Sequence, residues 1–246
     1  MRKLFLLLAL ISVSTGFSQK IIGSAMADDN GVTDKEKDAK FLVVEKQMND
    51  STFERLDYYF AGPMMRMASF KDKNLTILNG SYIDYHSNGY LATTGQYVNN
   101  KKDGDWFVYD DTSKVITKYS FHLDSLVTTI NMDSLDKANE LIKPDTTGEI
   151  EAKFKGGPAR IRSIISSNFK VPDRTAALIK DGTVNIRFTI DKEGKQSDIY
   201  VAKSVEFAFD EEALRVVALL NNWVPASKKG AKVNAYKVQP ITINLR

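Results

Sequence analysis

From Thr183 to Ile190 the chain alternates without a break: Val184, Ile186, Phe188 and Ile190 take one phase, Thr183, Asn185, Arg187 and Thr189 the other. A period of two over this length fixes a strand with one buried face. Asp191-Lys192-Glu193-Gly194 follows as a turn, and Ile199 and Val201 mark a return strand through Ser204. A lone hairpin is not stable in water, so flanking segments must cover its apolar face. Upstream, Ile161, Ile164, Ile165 and Phe169 fall on one face of a helix opened by Pro158. Val171-Pro172 interrupts it and a short second helix follows through Ala176, Ala177 and Leu178. Downstream, Phe209, Ala213, Val216, Val217, Leu220 and Trp223 make an apolar helical face that Pro225 ends, with Asp210 as the expected cap. Val233 to Leu245 reads as a long final strand. Its apolar phase changes between Val238 and Ile241, which predicts a bulge around Gln239-Pro240, and the proline predicts an edge position.

The expected class is α+β. Residues 154–246 form an α-α-β-β-α-β module, with a three-stranded antiparallel sheet and helices on one face. This order, with Phe154-x-Gly156-Gly157, Asn168-Phe169-x-Val171-Pro172, the hairpin from Gly182 to Gly194, Ser204, Phe209-Asp210-x-x-Ala213-Leu214 and Trp223-x-Pro225, resembles the C-terminal domain of the TonB energy transducers of Gram-negative bacteria. The resemblance implies binding rather than catalysis. In that family the last strand offers its edge to a short extended segment of an outer-membrane receptor, by β-augmentation. Carried over, it marks Tyr236, Lys237, Val238 and Gln239, with the Val171-Pro172 turn beside them, as partner-binding residues. Val171 stands where the family has tyrosine. An energy transducer also needs a retained membrane helix and a long proline-rich spacer, whereas the six prolines here are scattered.

Residues 39–142 read as a mainly β repeat domain, preceded by a flexible polar lead-in at 19–38 and followed by a linker at 143–153. Gly80-Ser81-Tyr82, Gly95-Gln96-Tyr97 and Gly104-Asp105-Trp106 each place an aromatic two residues after a glycine, with turn signals such as Asn88-Gly89 between them. A strand and a tight turn cannot bury an aromatic face alone, so such units must stack. The pattern resembles MORN-type repeats. The aromatics read first as core and cross-strand pairs; the sharper alternative is a carbohydrate or peptide platform of Tyr82, Tyr85, Tyr97, Trp106 and Tyr109.

Met1-Arg2-Lys3, the apolar run Leu4 to Ile11 and the small-x-small triplet Gly16-Phe17-Ser18 predict a signal peptide at 1–18, and hence a periplasmic protein. The run is too short for the roughly 20 residues that span a bilayer. If it were retained instead, an anchored transducer would be the alternative reading. The 34 Lys plus Arg against 31 Asp plus Glu leave +3, or about +1 without Arg2 and Lys3, which gives no electrostatic reason to expect nucleic acid. With no cysteine and two histidines, His86 and His122, little is available for thiolate, metal or triad chemistry. No cofactor, metal or enzyme activity is expected. The acidic stretch Asp28 to Gly31 does not fit a calcium loop, because Met26 would fall at the first ligand position. Asp103, Asp105, Asp110 and Asp111 read as turn residues. The expected partner is a TonB-dependent receptor or another envelope protein, with a homodimer through the edge strand also open.

Overall fold

The period-two segments become strands throughout the computed structural model, which describes residues 19–132 and 148–245. The expected signal peptide and residues 143–147 of the expected linker lie outside the described residues. The chain divides into two compact units, Met1–Lys137 and Ala138–Arg246.

Among the described residues the first unit forms one antiparallel sheet of ten strands: β1 (Lys20–Asp28), β2 (Gly31–Thr33), β3 (Phe41–Asn49), β4 (Thr52–Tyr59), β5 (Met64–Phe70), β6 (Leu78–Tyr85), β7 (Leu91–Val98), β8 (Lys101–Tyr109), β9 (Val115–His122) and β10 (Ser125–Asn131). From β3 to β10 spatial order follows chain order, and β1 lies between β2 and β3. Residues 19–38 are therefore not a flexible lead-in. Lys20–Asp28 pairs along β3, and the polar run Asp28 to Gly31 is a tight hairpin turn in which Asn30 N donates to Asp28 Oδ1 at 2.7 Å. The short polar side chains that suggested flexibility are the turn chemistry of a two-residue connection.

Each glycine of the three Gly-x-aromatic triplets lies opposite or beneath an aromatic or polar side chain of a neighbouring strand. Gly80 pairs with Tyr97 and Gly104 with Phe121, and the Trp106 ring lies directly on Gly95. A Cβ at Gly95 would stand 2.2 Å from Trp106 Cδ2, so only glycine fits there. β7 thus seats the indole of β8.

The second unit is built around β13 (Asp181–Ile190). It pairs with β14 (Gln196–Lys203) on one side and β18 (Ala235–Asn244) on the other. Three α-helices belong to it among the described residues: α1 (Gly157–Asn168), α2 (Asp173–Leu178) and α3 (Phe207–Val217). Phe209, Ala213, Val216, Val217 and Leu220 are fully buried, as are Val184, Ile186 and Ile190. At roughly 1.5–3 kcal/mol for each large apolar side chain, this layer holds the module together.

Three local features differ from expectation. Glu206, not Asp210, caps α3: its carboxylate accepts from Ala208 N and Phe209 N, while Asp210 sits inside the first turn and accepts from Ser204 Oγ and Val205 N. Between α3 and β18 the chain makes three short strands, β15 (Trp223–Val224), β16 (Ala226–Lys228) and β17 (Ala231–Val233). β11 (Glu149–Ile150) pairs with β16 and β12 (Lys153–Phe154) with β15, so residues 148–153 belong to this unit and are not linker. Finally, β18 starts at Ala235 and has no bulge. Its register runs unbroken from Ala235 opposite Ile190 to Asn244 opposite Asp181. The apparent phase change arises because Tyr236 and Val238 are apolar residues on the exposed face.

Candidate partner-binding edge

In an antiparallel ladder, backbone groups point alternately toward and away from the neighbouring strand. Leu245 N donates to Lys180 O at 2.8 Å, just beyond the Asn244–Asp181 pair, which sets odd-numbered residues toward β13. Even-numbered residues Tyr236, Val238, Pro240, Thr242 and Asn244 therefore turn their backbone groups to the open side. Pro240, which has no N–H, falls in the phase that tolerates its loss. Among the described residues no strand pairs with this side of β18.

The sheet has a second edge, β14, and the two differ. β14 shifts register twice against β13 and carries Asp198 at φ 48°, a left-handed conformation. Such irregularity blunts an edge against further pairing. β18 keeps ten residues in regular register.

The four β18 residues marked from sequence lie consecutively on this edge, with side chains on two faces. Tyr236 and Val238 are 68% and 53% exposed on the outer face, where the Arg187 guanidinium lies 4.9 Å from the Tyr236 ring centroid. Lys237 and Gln239 are half-buried on the other face. Lys237 Nζ pairs with Glu151 Oε2 at 2.9 Å, and this ammonium holds the Glu151 carboxyl below its ordinary pKa. The residues that lead into the Val171-Pro172 turn are tied to α3: Lys170 N donates to Glu212 Oε1 at 2.7 Å, and Arg215 Nη2 to Asn168 O at 2.6 Å.

Sequence reasoning missed an open groove of about 370 Å³ next to the start of β18, lined in part by Ile150, Ala152, Ala226, Val233, Ala235 and Tyr236. Its two walls come from segments about eighty residues apart, and no local pattern marks it. Exposed Ile150 in a polar stretch was the one available signal.

The aromatic residues of the first unit do not form the five-residue platform. Tyr82, Tyr97 and Trp106 cluster on one face, with ring centroids 5.1–5.7 Å apart. Tyr85 and Tyr109 are buried, and the Tyr109 hydroxyl bonds Thr94 Oγ1 on the opposite face. Trp106 is 3% exposed beneath Lys102, whose Nζ lies 4.5 Å from the ring centroid, so it is packing and not platform. Two of the carboxylates tie turns: Asp110 Oδ1 accepts from Thr112 N and Lys114 N, and Asp103 Oδ1 from Leu123 N; Asp105, expected at a turn, lies within β8 and accepts from Ser120 Oγ of β9 at 2.6 Å. Among the described residues no three His, Asp or Glu side chains converge on a metal position. His86 Nε2 meets Tyr109 O at 3.2 Å, and His122 Nδ1 lies 3.5 Å from Asp103 Oδ1.

Burial pushes the Tyr82 hydroxyl up to about 12, with the Asp84 carboxylate adding to the effect, and burial raises Tyr97 as well. The folded state thus favours neutral tyrosine. Its contribution is complete below the unfolded pKa of about 10 and is lost as pH rises from there toward 12. We expect the urea midpoint of the first unit to fall over that window, and less steeply in Tyr82→Phe. An unchanged slope in Tyr82→Phe would rule this origin out.

Residues 167–245 match the family model for the C-terminal region of the Gram-negative bacterial TonB protein, which supports a TonB-type C-terminal domain over about a third of the chain. The β-rich region before it carries no such match. No curated protein and no solved structure matches the chain at significant similarity. Among the described residues no helix is long and apolar enough to cross a membrane.

Proposed function

We propose that the second unit is a periplasmic binding module that takes up an extended segment of a partner along β18, and that the partner is a TonB-dependent outer-membrane receptor or an envelope protein that works with one. The observation that carries the reading is the unpaired outer edge of β18, a strand in regular register with β13, while the opposite edge of the sheet, β14, is blunted, within a region that matches the TonB C-terminal model. The role is binding in support of transport across the outer membrane, not catalysis. A few backbone bonds at roughly 1 kcal/mol net, less the ordering of the peptide, give no more than about millimolar affinity by themselves, so side-chain contacts must supply the rest. Such a contact suits reversible engagement. The first unit, on this reading, is a stack of MORN-like hairpins that serves as a second envelope-facing surface.

The test is capture from detergent-solubilised envelope by tagged protein spanning residues 19–246, with bound proteins identified by mass spectrometry. Val238→Pro deletes an outward N–H and none of the bonds to β13. We expect it to lower receptor recovery at least tenfold while leaving the circular dichroism spectrum unchanged. Recovery of TonB-dependent receptors undiminished by the variant would remove strand addition as the mechanism. Recovery of other envelope proteins alone, sensitive to the variant, would identify an interaction scaffold with a different partner.

A further inference from the structure

The outer edge of β18 is not uniform. At position 240 it offers no N–H, and the outward carbonyl of Pro240 already accepts from Gln239 Nε2 at 2.9 Å. An added strand therefore meets an uninterrupted row only at Tyr236 and Val238, each presenting one N–H and one carbonyl. Beyond Pro240 the row resumes at Thr242 and Asn244, but a peptide reaching them must cross a position where its carbonyl finds no donor and its N–H must share an acceptor with Gln239.

The groove opens beside the first half of this row, and Tyr236 and Lys237 belong to both. Its apolar lining is small or aliphatic apart from Tyr236, and Ile150 is left 57% exposed. Its lysines are already neutralised: Lys228 Nζ pairs with Glu149 Oε1 at 2.6 Å, and Lys237 Nζ with Glu151 Oε2 at 2.9 Å. An acidic side chain would have to displace one of these glutamates, and a basic one would meet a lysine. An uncharged aliphatic group displaces nothing but water.

We propose that strand addition is confined to Ala235–Gln239 and that the partner segment, about four or five residues long, seats one aliphatic side chain in the groove against Ile150 and Tyr236. The proposal rests on the strand-addition reading above and narrows it to one half of the edge and one side-chain class.

The full chain carrying the photo-cross-linker p-benzoylphenylalanine at position 150, 238 or 242 is irradiated in intact cells, and the adducts are mapped by mass spectrometry. The expected result is that positions 150 and 238 join the same short window of one partner, with an aliphatic residue at the site reached from 150. Position 242 then gives at least tenfold less product. Equal adducts from 242 overturn the confinement, and adducts from 238 without 150 overturn the groove. No adduct from 238 means that strand addition itself fails, and this inference with it. In the capture assay, Ile150→Asp is expected to lower recovery at least tenfold and Thr242→Pro less than twofold. Loss in Thr242→Pro as deep as in Val238→Pro would again overturn the confinement and leave strand addition standing.

Discussion

Gly95→Ala is expected to destabilise the first unit by about 3 kcal/mol, the upper part of the range for overpacking a filled site. The added methyl would stand 2.2, 2.4 and 2.7 Å from three atoms of the Trp106 ring. The ring has little room to withdraw: Tyr97 and Tyr82 lie at 5.1 and 5.7 Å between centroids, Phe121 at 6.4 Å, and Lys102 covers its face. Nor can Gly95 retreat without breaking pairing between β7 and its neighbours. Urea unfolding followed by tryptophan fluorescence reads the effect, in a Trp223→Phe background that leaves Trp106 as the sole reporter, since the chain has two tryptophans. Circular dichroism supplies the signal for Trp106→Leu and for the double variant. If the cause is the clash, the double variant will be more stable than the two single losses added together predict. A Gly95→Ala protein within about 0.5 kcal/mol of the parent would show that the ring moves freely.

The second large effect belongs to Glu206. Its carboxylate is fully buried and accepts from Arg174 Nε at 2.6 Å, Thr175 Oγ1 at 2.9 Å, Ala208 N at 3.1 Å and Phe209 N at 3.3 Å. One side chain thus joins α2 to the start of α3. Glu206→Ala removes a helix cap and strips a mostly buried guanidinium of this carboxylate, so a loss of about 3–5 kcal/mol is expected from the second unit's urea transition. Glu206→Gln keeps an acceptor in place and should lose less. Because the pair is screened from solvent, the loss should change little between low and high salt, unlike that of an exposed ion pair. A cost below about 1 kcal/mol would mean that the network is incidental to α3.

What could be read from the sequence is what local chemistry decides. The strand from Thr183 to Ile190, its Asp191 turn and the apolar face of α3 from Phe209 to Val217 follow from spacing within a dozen residues, and the structure places them there; Leu220 and Trp223, expected on the same helix, lie beyond its end, Trp223 in β15. Capping of α3 could not be read that way. Asp210 is the better intrinsic cap, but Glu206 wins because Arg174 and Thr175, about thirty residues earlier, hold its carboxylate at the helix start. β1 was missed for a related reason: its sequence is weakly patterned, and its pairing with β3 supplies the order. At β18 the misreading is instructive. Tyr236 and Val238 looked like a slipped phase because apolar residues were assumed to face the core. Their exposure at the open edge is the same fact seen from outside, and it belongs to the candidate site.

The two sheets also differ in when they can exist. Every pair in the ten-stranded sheet joins strands adjacent in the chain or one apart, so it can grow hairpin by hairpin as the polypeptide is made. β13 has no such option on one side, because its partner β18 follows only after β14, α3 and three short strands. Until residues 235–244 have been synthesised and docked, Val184, Ile186 and Phe188 lack that flank, and the edge proposed to receive a partner has not yet formed. Competence for strand addition would then arise later than the sheet of the first unit, and a chain stopped short of β18 would carry an intact first unit without the edge proposed to receive a partner.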